Sequence, residues 1–186
     1  MHKYAKQLLK ASYMNQDDAE KYMNHYGFKY DPELSRNDTK VFVDPNGKPV
    51  IAHRGTRRLT DWADDALLMF GIGEKTHRYK NAERVTKRAE EKYGQTADAL
   101  GHSLGGWLTE QTGHGNKLTY NKAVGLGDLF KDVSKNQTDY RTPRDVVSLG
   151  SLTQKTNTHT VPDNHLLQNI FTAHDMKNFH PELLNE

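Results

Sequence analysis

Residues 96–110 read TADALGHSLGGWLTE, and this stretch decides the fold. Its GHSLG segment, residues 101–105, fits the G-x-S-x-G pattern, in which a serine occupies a sharp turn between a strand and a helix. Glycines two positions before and after the serine let strand, turn and helix pass one another without Cβ clashes. A helix-compatible run, residues 104–112, follows and stops at Gly113. The stretch predicts a strand–turn–helix unit that presents Ser103 as a candidate nucleophile beside a helix N-terminus.

Strands and helices alternate along the rest of the chain. Two β-rich runs flank an Asn-Gly pair and predict a hairpin. The predicted elements after it are a charged helix at 76–93, the strand and helix around Ser103, a strand at 117–124, a polar segment at 128–142, a short extended piece at 158–161 and a last turn or helix at 174–179. This order predicts an α/β fold, with a mainly parallel sheet, flanking helices and an N-terminal β-hairpin at 40–53.

The first 39 residues predict a helical cover for one side of that sheet. Tyr4, Leu8 and Leu9 share one face of a first helix, and Asn15 is placed to cap a second helix over residues 16–25. Residues 40–180 then form the core of a single domain spanning 1–186, which is long enough to bury a substantial apolar interior.

Composition narrows the class of protein. The net charge is only +2, so no excess of basic residues indicates binding to nucleic acid. The absence of cysteine excludes disulfides and thiol catalysis. The ten histidines lack the spacing with acids that metal ligation needs, so we expect no metal and no cofactor. The start has no apolar signal segment and no run is long enough to span a membrane, which predicts a soluble protein in a reducing compartment.

A nucleophilic serine needs a base to take its proton and an acid to orient the base. On this kind of fold the acid and then the histidine follow the serine along the chain. The acids after Ser103 that we weighed are Glu110, Asp128, Asp132, Asp139 and Asp145. We favour Asp145, because it lies at an extended-to-loop transition beside an apolar run; Asp128 and Asp132 are the alternatives after a strand.

The positions of other residues in the sequence also suggest candidates for the base and for the oxyanion donors. Four histidines follow Asp145, and we favour His174, which opens the last helical stretch, with His165 as its nearest rival beside His159 and His180. One oxyanion N–H is expected from Leu104, directly after the serine, and a second donor from Thr56, directly after the hairpin.

An apolar stretch lies between the hairpin and the charged helix. It contains Leu67, Leu68, Met69 and Phe70, followed by Gly71 and Gly73. Such a stretch suits a lid or a contact for the acyl chain of a substrate, and equally a buried loop. The sequence leaves both interpretations open.

Five segments together resemble the class 3 (fungal-type) lipases, and they occur in that family's order. They are HRGTRRLTDWADD at 53–65, ALGHSLGG at 99–106, LTYNKAVG at 118–125, DYRTPRDVVSLG at 139–150 and AHDMKNF at 173–179. The resemblance implies an α/β-hydrolase fold and the hydrolysis of lipid esters, triacylglycerols or phospholipids. It implies Ser103 as nucleophile, Asp145 as acid, His174 as base and Thr56 and Leu104 as oxyanion donors. It also implies Trp62 and Asp65 as supports of the oxyanion loop.

The chain departs from that family at several positions. His53 replaces the usual aromatic residue, Lys122-Ala123 replaces a proline, and little room follows Trp62 for a long lid helix. Compact members of this kind are encoded by large DNA viruses and their satellites, so the resemblance implies a cytoplasmic or virion-associated location. The expected partner is a lipid or other ester, with transient contact to a membrane surface or assembly in a larger particle. The alternatives are a catalytically inactive hydrolase fold serving as a structural or binding subunit, and an esterase or amidase for small soluble acyl compounds.

Overall fold

The computed structural model describes residues 2–56, 72–145, 147–154, 157–161, 174–176 and 179. The helices are α1 (Ala5–Ser12), α2 (Gln16–Asn24), α3 (Ile72–Tyr93) and α4 (Leu104–Thr112). The strands are β1 (Lys29–Tyr30), β2 (Thr39–Val43), β3 (Pro49–His53), β4 (Asp98–His102), β5 (Lys117–Tyr120), β6 (Gln137–Arg141) and β7 (Asn157–Thr160).

The described strands form one seven-stranded sheet in the order β1-β2-β3-β4-β5-β6-β7. β1, β2 and β3 pair antiparallel, and β3 to β7 pair parallel. The carboxyl ends of β3 to β7 therefore meet at one edge of the sheet, where open α/β sheets gather their functional loops. This topology confirms the predicted α/β-hydrolase type of fold, with its hairpin and mainly parallel sheet.

Helices cover both faces of the sheet because alternate side chains of each strand point to opposite sides. Phe42, Val50 and Leu100 pack in one buried cluster with Leu8 and Leu9 of α1. Their sequence neighbours Val41, Ile51 and Ala99 pack on the opposite face with Val85 and Ala89 of α3. α3 and α4 also pack against each other. The site at the carboxyl edge is thus carried on a sheet with a core on each side.

Local signals located most elements correctly. Asn15 caps α2 as predicted, since its side-chain oxygen accepts the Asp18 N–H at 2.9 Å. One predicted boundary was wrong, and two strands had not been predicted. The strand expected at 117–124 ends at Tyr120, because Asn121 turns the backbone to a φ of 44°. The polar segment expected at 128–142 contains β6, and β1 had no counterpart in the prediction.

Several predicted features lie outside the described residues. These are the apolar residues Leu67, Leu68, Met69 and Phe70, the loop supports Trp62 and Asp65, and the alternative bases His165 and His180. Within the part of the chain that the structure describes, each helix is too short or too polar to cross a membrane.

Candidate active site

Ser103 sits in the sharp turn that the GHSLG pattern predicts. It lies between β4 and α4 with φ 56° and ψ −125°, a conformation that costs a non-glycine residue about 1–3 kcal/mol. The turn is held by the Ser103 N–H bond to the Tyr120 carbonyl at 3.1 Å and by the Ala123 N–H bond to the Ser103 carbonyl at 3.1 Å. The strained backbone therefore fixes the direction of the serine side chain.

The glycines of the turn are required by close backbone contacts. A Cβ on Gly101 would collide with the backbone carbonyl of Gly105, and a Cβ on Gly105 would collide with the carbonyl of His53. Gly106 lies against Lys122 on the following strand connection, where an added Cβ would be 3.1 Å from the Lys122 Cα. The pattern thus lets α4 start directly against β3 and β4.

His174 and Asp145 form a hydrogen-bonded pair beside this turn. The His174 Nδ1 lies 2.8 Å from the Asp145 Oδ1, and both residues are buried. A carboxylate only accepts, so Nδ1 carries the proton and donates it. The lone pair of a neutral His174 is then on Nε2, the ring nitrogen that a general base uses.

Asp145 is held in its charged form. Burial is the largest influence and acts to raise the pKa of its carboxyl, but the hydrogen bond and charge of His174, with the bonds from Ser148 and Val147, together lower the pKa below its ordinary value. The N–H groups of Val147 and Ser148 add bonds of 3.2 and 3.1 Å to the two carboxylate oxygens. The acid is therefore an anion that can stabilise an imidazolium.

The histidine ring packs against the residue before the serine. The rings of His174 and His102 lie 4.7 Å apart, centroid to centroid, and His102 in turn stacks on Tyr120 at 5.4 Å. The buried Ser103 Oγ and His174 Nε2 have no hydrogen-bond partner within the described part of the chain. Because each atom lacks a partner, Ser103 Oγ and His174 Nε2 are not hydrogen-bonded to each other, which leaves both available to a ligand.

The rival acids have other partners. Asp128 Oδ2 accepts the Trp107 Nε1–H at 2.9 Å, and Asp139 Oδ2 accepts from Lys122 Nζ at 2.9 Å. Glu110 also accepts from Lys122, and Asp132 is exposed. Among these acids, Asp145 is hydrogen-bonded to a histidine that the structure describes, His174.

The rival base that the structure describes is also engaged elsewhere. His159 lies on β7, where its ring stacks on Tyr140 at 5.4 Å. The favoured pair of acid and base is thus the pair that the fold brings together.

The segments that carry the two predicted oxyanion donors adjoin the serine turn. Leu104 is the first residue of α4, whose opening N–H groups have no partner inside the helix. Thr56 follows Gly55, and Gly55 packs against the elbow: a Cβ there would be 3.1 Å from the Ser103 Cβ. The segments of both predicted donors therefore adjoin Ser103 at the carboxyl edge of the sheet.

Sequence reasoning missed two residues near the site. Tyr13, at the end of α1, bonds His102 Nδ1 at 2.7 Å and accepts the Gly55 N–H at 3.0 Å. Lys122 is buried behind the elbow helix with Glu110 and Asp139. A signal for Lys122 existed, since a lysine at the position of a proline in an otherwise apolar segment needs acidic partners.

The described residues hold no cluster of three or more histidine and acidic side chains that suits a metal ion.

Comparisons with known proteins identify the family and the fold of the chain. A family model described as phospholipase-like, a Tle-like phospholipase domain, matches residues 4–128, well over half of the chain. The matched range contains Thr56 and Ser103 and ends before Asp145 and His174. No curated protein sequence matches the chain.

The solved structure of Lip2 lipase from Yarrowia lipolytica is similar, with a TM-score of 0.50 and 16% identity over 78% of this chain and 72% of that chain. At this identity the likeness shows the fold. The expected relationship to lipase-like α/β-hydrolases is confirmed, and the chain belongs to the family of Tle-like phospholipase domains.

Proposed function

We propose that this protein hydrolyses carboxylic ester bonds of lipids through a Ser103–His174–Asp145 triad. The observation that carries the proposal is a strained, buried serine at a strand–helix turn, beside a histidine whose Nδ1 is bonded to a buried carboxylate. Membership of the phospholipase-like family supports lipid ester hydrolysis as the reaction.

The acylation step uses the free Nε2 of His174. Nε2 takes the proton of the Ser103 hydroxyl while Oγ attacks the carbonyl carbon of the ester. The imidazolium is stabilised by the charged Asp145. The tetrahedral intermediate collapses when the imidazolium gives its proton to the leaving alcohol, which departs and leaves an acyl-serine.

Deacylation repeats the step with water. His174 takes a proton from water, the hydroxide attacks the acyl carbon, and the proton returns to Oγ as the fatty acid leaves. The Leu104 N–H and the donors of Thr56 stabilise the oxyanion in both steps. Loss of one such donor typically lowers turnover by about 100- to 1,000-fold.

A lipid surface is the proposed location of the substrate. Among the described residues, the exposed large hydrophobic side chains are Phe130, Leu149 and Leu152, and Phe130 is 78% exposed. The segments that carry them adjoin, since the Phe130 N–H donates to Thr153 Oγ1 at 3.4 Å. The segment that carries Leu149 and Leu152 follows Asp145 directly. These side chains would contact acyl chains while the site takes an ester from the surface.

Labelling with a fluorophosphonate tests the proposal. The probe should modify Ser103 of the wild-type protein, and Ser103→Ala should abolish both labelling and turnover of a short-chain p-nitrophenyl ester. Ser151→Ala is a matched control, because Ser151 is buried in the loop after Asp145 and bonds a backbone carbonyl. Labelling there should be unchanged.

The same assay separates the alternatives. An inactive structural or binding subunit would give no labelling of the wild-type protein, which would overturn the proposal. Turnover of a series of acyl chain lengths on phospholipid vesicles and in detergent-free solution then separates a lipid hydrolase from an esterase for soluble esters. Activity confined to short soluble esters would refute the lipid substrate and leave the triad intact.

A further inference from the structure

The hydroxyl of Tyr13 reaches from the N-terminal cover to the centre of the candidate site. Tyr13 directly follows α1. Its Oη lies 2.7 Å from His102 Nδ1 and 3.0 Å from the Gly55 backbone nitrogen. One side chain thus contacts the residue before the nucleophile and the residue before the oxyanion donor Thr56.

A second bond extends this chain to the histidine of the triad. His102 Nε2 lies 2.9 Å from the backbone carbonyl oxygen of His174. A carbonyl only accepts, so Nε2 must donate. A neutral imidazole has one N–H, and Nδ1 is therefore an acceptor.

The direction of every hydrogen bond in this series, from Gly55 to the His174 carbonyl, can now be assigned. Because Nδ1 of His102 accepts, the Tyr13 hydroxyl donates its proton to it. The Gly55 N–H can only donate, so Tyr13 Oη accepts from Gly55. The Gly55 N–H thus donates to Tyr13 Oη, and the Tyr13 hydroxyl donates to His102 Nδ1. The His102 Nε2–H donates in turn to the His174 carbonyl.

Burial keeps both side chains in the form that this order requires. Burial, followed by the neighbouring His174, lowers the pKa of His102 to about 3, so the ring stays neutral with one N–H. Burial raises the pKa of Tyr13 to about 12, so the hydroxyl keeps its proton. The ring of His102 is also fixed between Tyr120 and His174.

We infer that Tyr13 is a positioning residue, which uses the His102 ring to hold the oxyanion segment, the serine turn and the His174 loop in one arrangement. The inference rests on the proposed function, since these three segments carry the proposed oxyanion donors, nucleophile and base. It also gives the N-terminal helices a role in the reaction beyond covering the sheet.

Tyr13→Phe is the test, because it keeps the ring and removes only the hydroxyl. We expect kcat for a soluble p-nitrophenyl ester to fall by about 10- to 100-fold, as small misplacements of reacting groups do, while KM changes by less than about twofold. Tyr22→Phe is the control: this tyrosine of α2 lies in the same cover, with its ring 5.4 Å from Tyr26, and its kcat should match the wild type. A folded Tyr13→Phe protein with wild-type kcat would overturn the inference.

A spectroscopic measurement on the wild-type protein keeps the inference testable if the variant does not fold. Nitrogen-15 NMR of His102, assigned with a His102→Gln variant, should show a neutral ring with the proton on Nε2 at about pH 7. A proton on Nδ1 would reverse the hydrogen bond between Tyr13 and His102 and would refute the inference.

In Tyr13→Phe the His102 Nε2 should stay protonated, because the His174 carbonyl still accepts from it, while the Nδ1 signal should move toward that of a ring nitrogen without a hydrogen-bond donor, which a purely packing role for the tyrosine ring would not cause. Unchanged signals in a folded variant would contradict the inference. If the wild-type protein takes no fluorophosphonate label, the proposed function fails, whatever tautomer His102 adopts. If the protein is labelled and turns over while Tyr13→Phe is unaffected, only the role of Tyr13 fails.

Discussion

Two neutral histidines inside the sheet should make the protein lose stability in mild acid. His53 and His102 are buried, with 0% and 1% of their surface exposed. Burial is the main cause that lowers the pKa of each to about 3. In the unfolded chain an exposed imidazole has a pKa of about 6.5. Between about pH 6.5 and pH 3 each of these two histidines is therefore protonated in the unfolded chain and neutral in the folded chain.

The magnitude follows from the linkage between proton binding and folding. Each unit of pKa difference corresponds to about 1.36 kcal/mol. A histidine whose pKa falls from 6.5 in the unfolded chain to about 3 in the folded chain therefore contributes about 2 kcal/mol less to the free energy of unfolding at pH 5 than at pH 8. The two histidines together should lower the free energy of unfolding by about 4 kcal/mol over this interval. Their stabilisation is complete above pH 6.5 and is lost as the pH falls toward 3.

Urea unfolding at a series of pH values from about 8 to 5 measures this loss, with the slope of free energy against urea checking that the transition stays two-state. His53→Gln should remove about half of the pH dependence, whatever its own stability, because one of the two shifted groups is gone. His25→Gln is the control, since His25 is exposed on the surface after α2. A free energy that stays flat from pH 8 to 5, or an unaltered pH dependence in His53→Gln, would refute the reasoning.

Three further predictions concern single side chains. Asp145→Asn should lower kcat for ester turnover by about 10,000-fold, as in other serine triads. Asp128→Asn, whose amide oxygen can still accept from Trp107, should keep kcat within a few-fold of the wild type, and equal losses in the two variants would contradict the assignment. Lys122→Met should destabilise the fold by about 3–5 kcal/mol in urea unfolding, because two buried carboxylates lose their cation, and a change below 1 kcal/mol would argue against a buried ion pair. Phe130→Ser should lower activity on phospholipid vesicles several-fold while leaving a soluble ester unaffected; equal effects on both would exclude a surface-binding role.

The elbow could be predicted from the sequence because its requirements are local. Gly101 removes a clash with the carbonyl of Gly105 only four residues away, and the G-x-S-x-G spacing marks the turn directly, while Gly105 also leaves room for the His53 carbonyl of β3. The hairpin at 39–53 is predictable for the same reason, since Asn46 and Gly47 supply the turn between two β-rich runs. The sequence pattern of either element can be recognised without knowing which distant residues it contacts.

β6 shows why local reasoning failed elsewhere. Its sequence, QTDYR, is polar, yet Gln137, Asp139 and Arg141 are buried on one face of the strand. The Asp139 carboxylate is compensated by Lys122 Nζ at 2.9 Å and by the Thr119 hydroxyl at 2.6 Å, both from the neighbouring strand and its loop. A polar strand can be buried only if such partners are present, and they become visible once β5 and β6 are paired.

The same limit separates the two halves of the candidate site. Ser103 is fixed by contacts within β4, α4 and the adjoining strand ends, all inside residues 4–128 that the family model matches. Asp145 and His174 follow that range, on loops whose sequence carries no steric rule. Their relation to the serine depends on one bond between them and on the contact of the His174 loop with His102. A change in those loops would therefore alter the base without disturbing the elbow, and activity is expected to be lost more easily there than the fold.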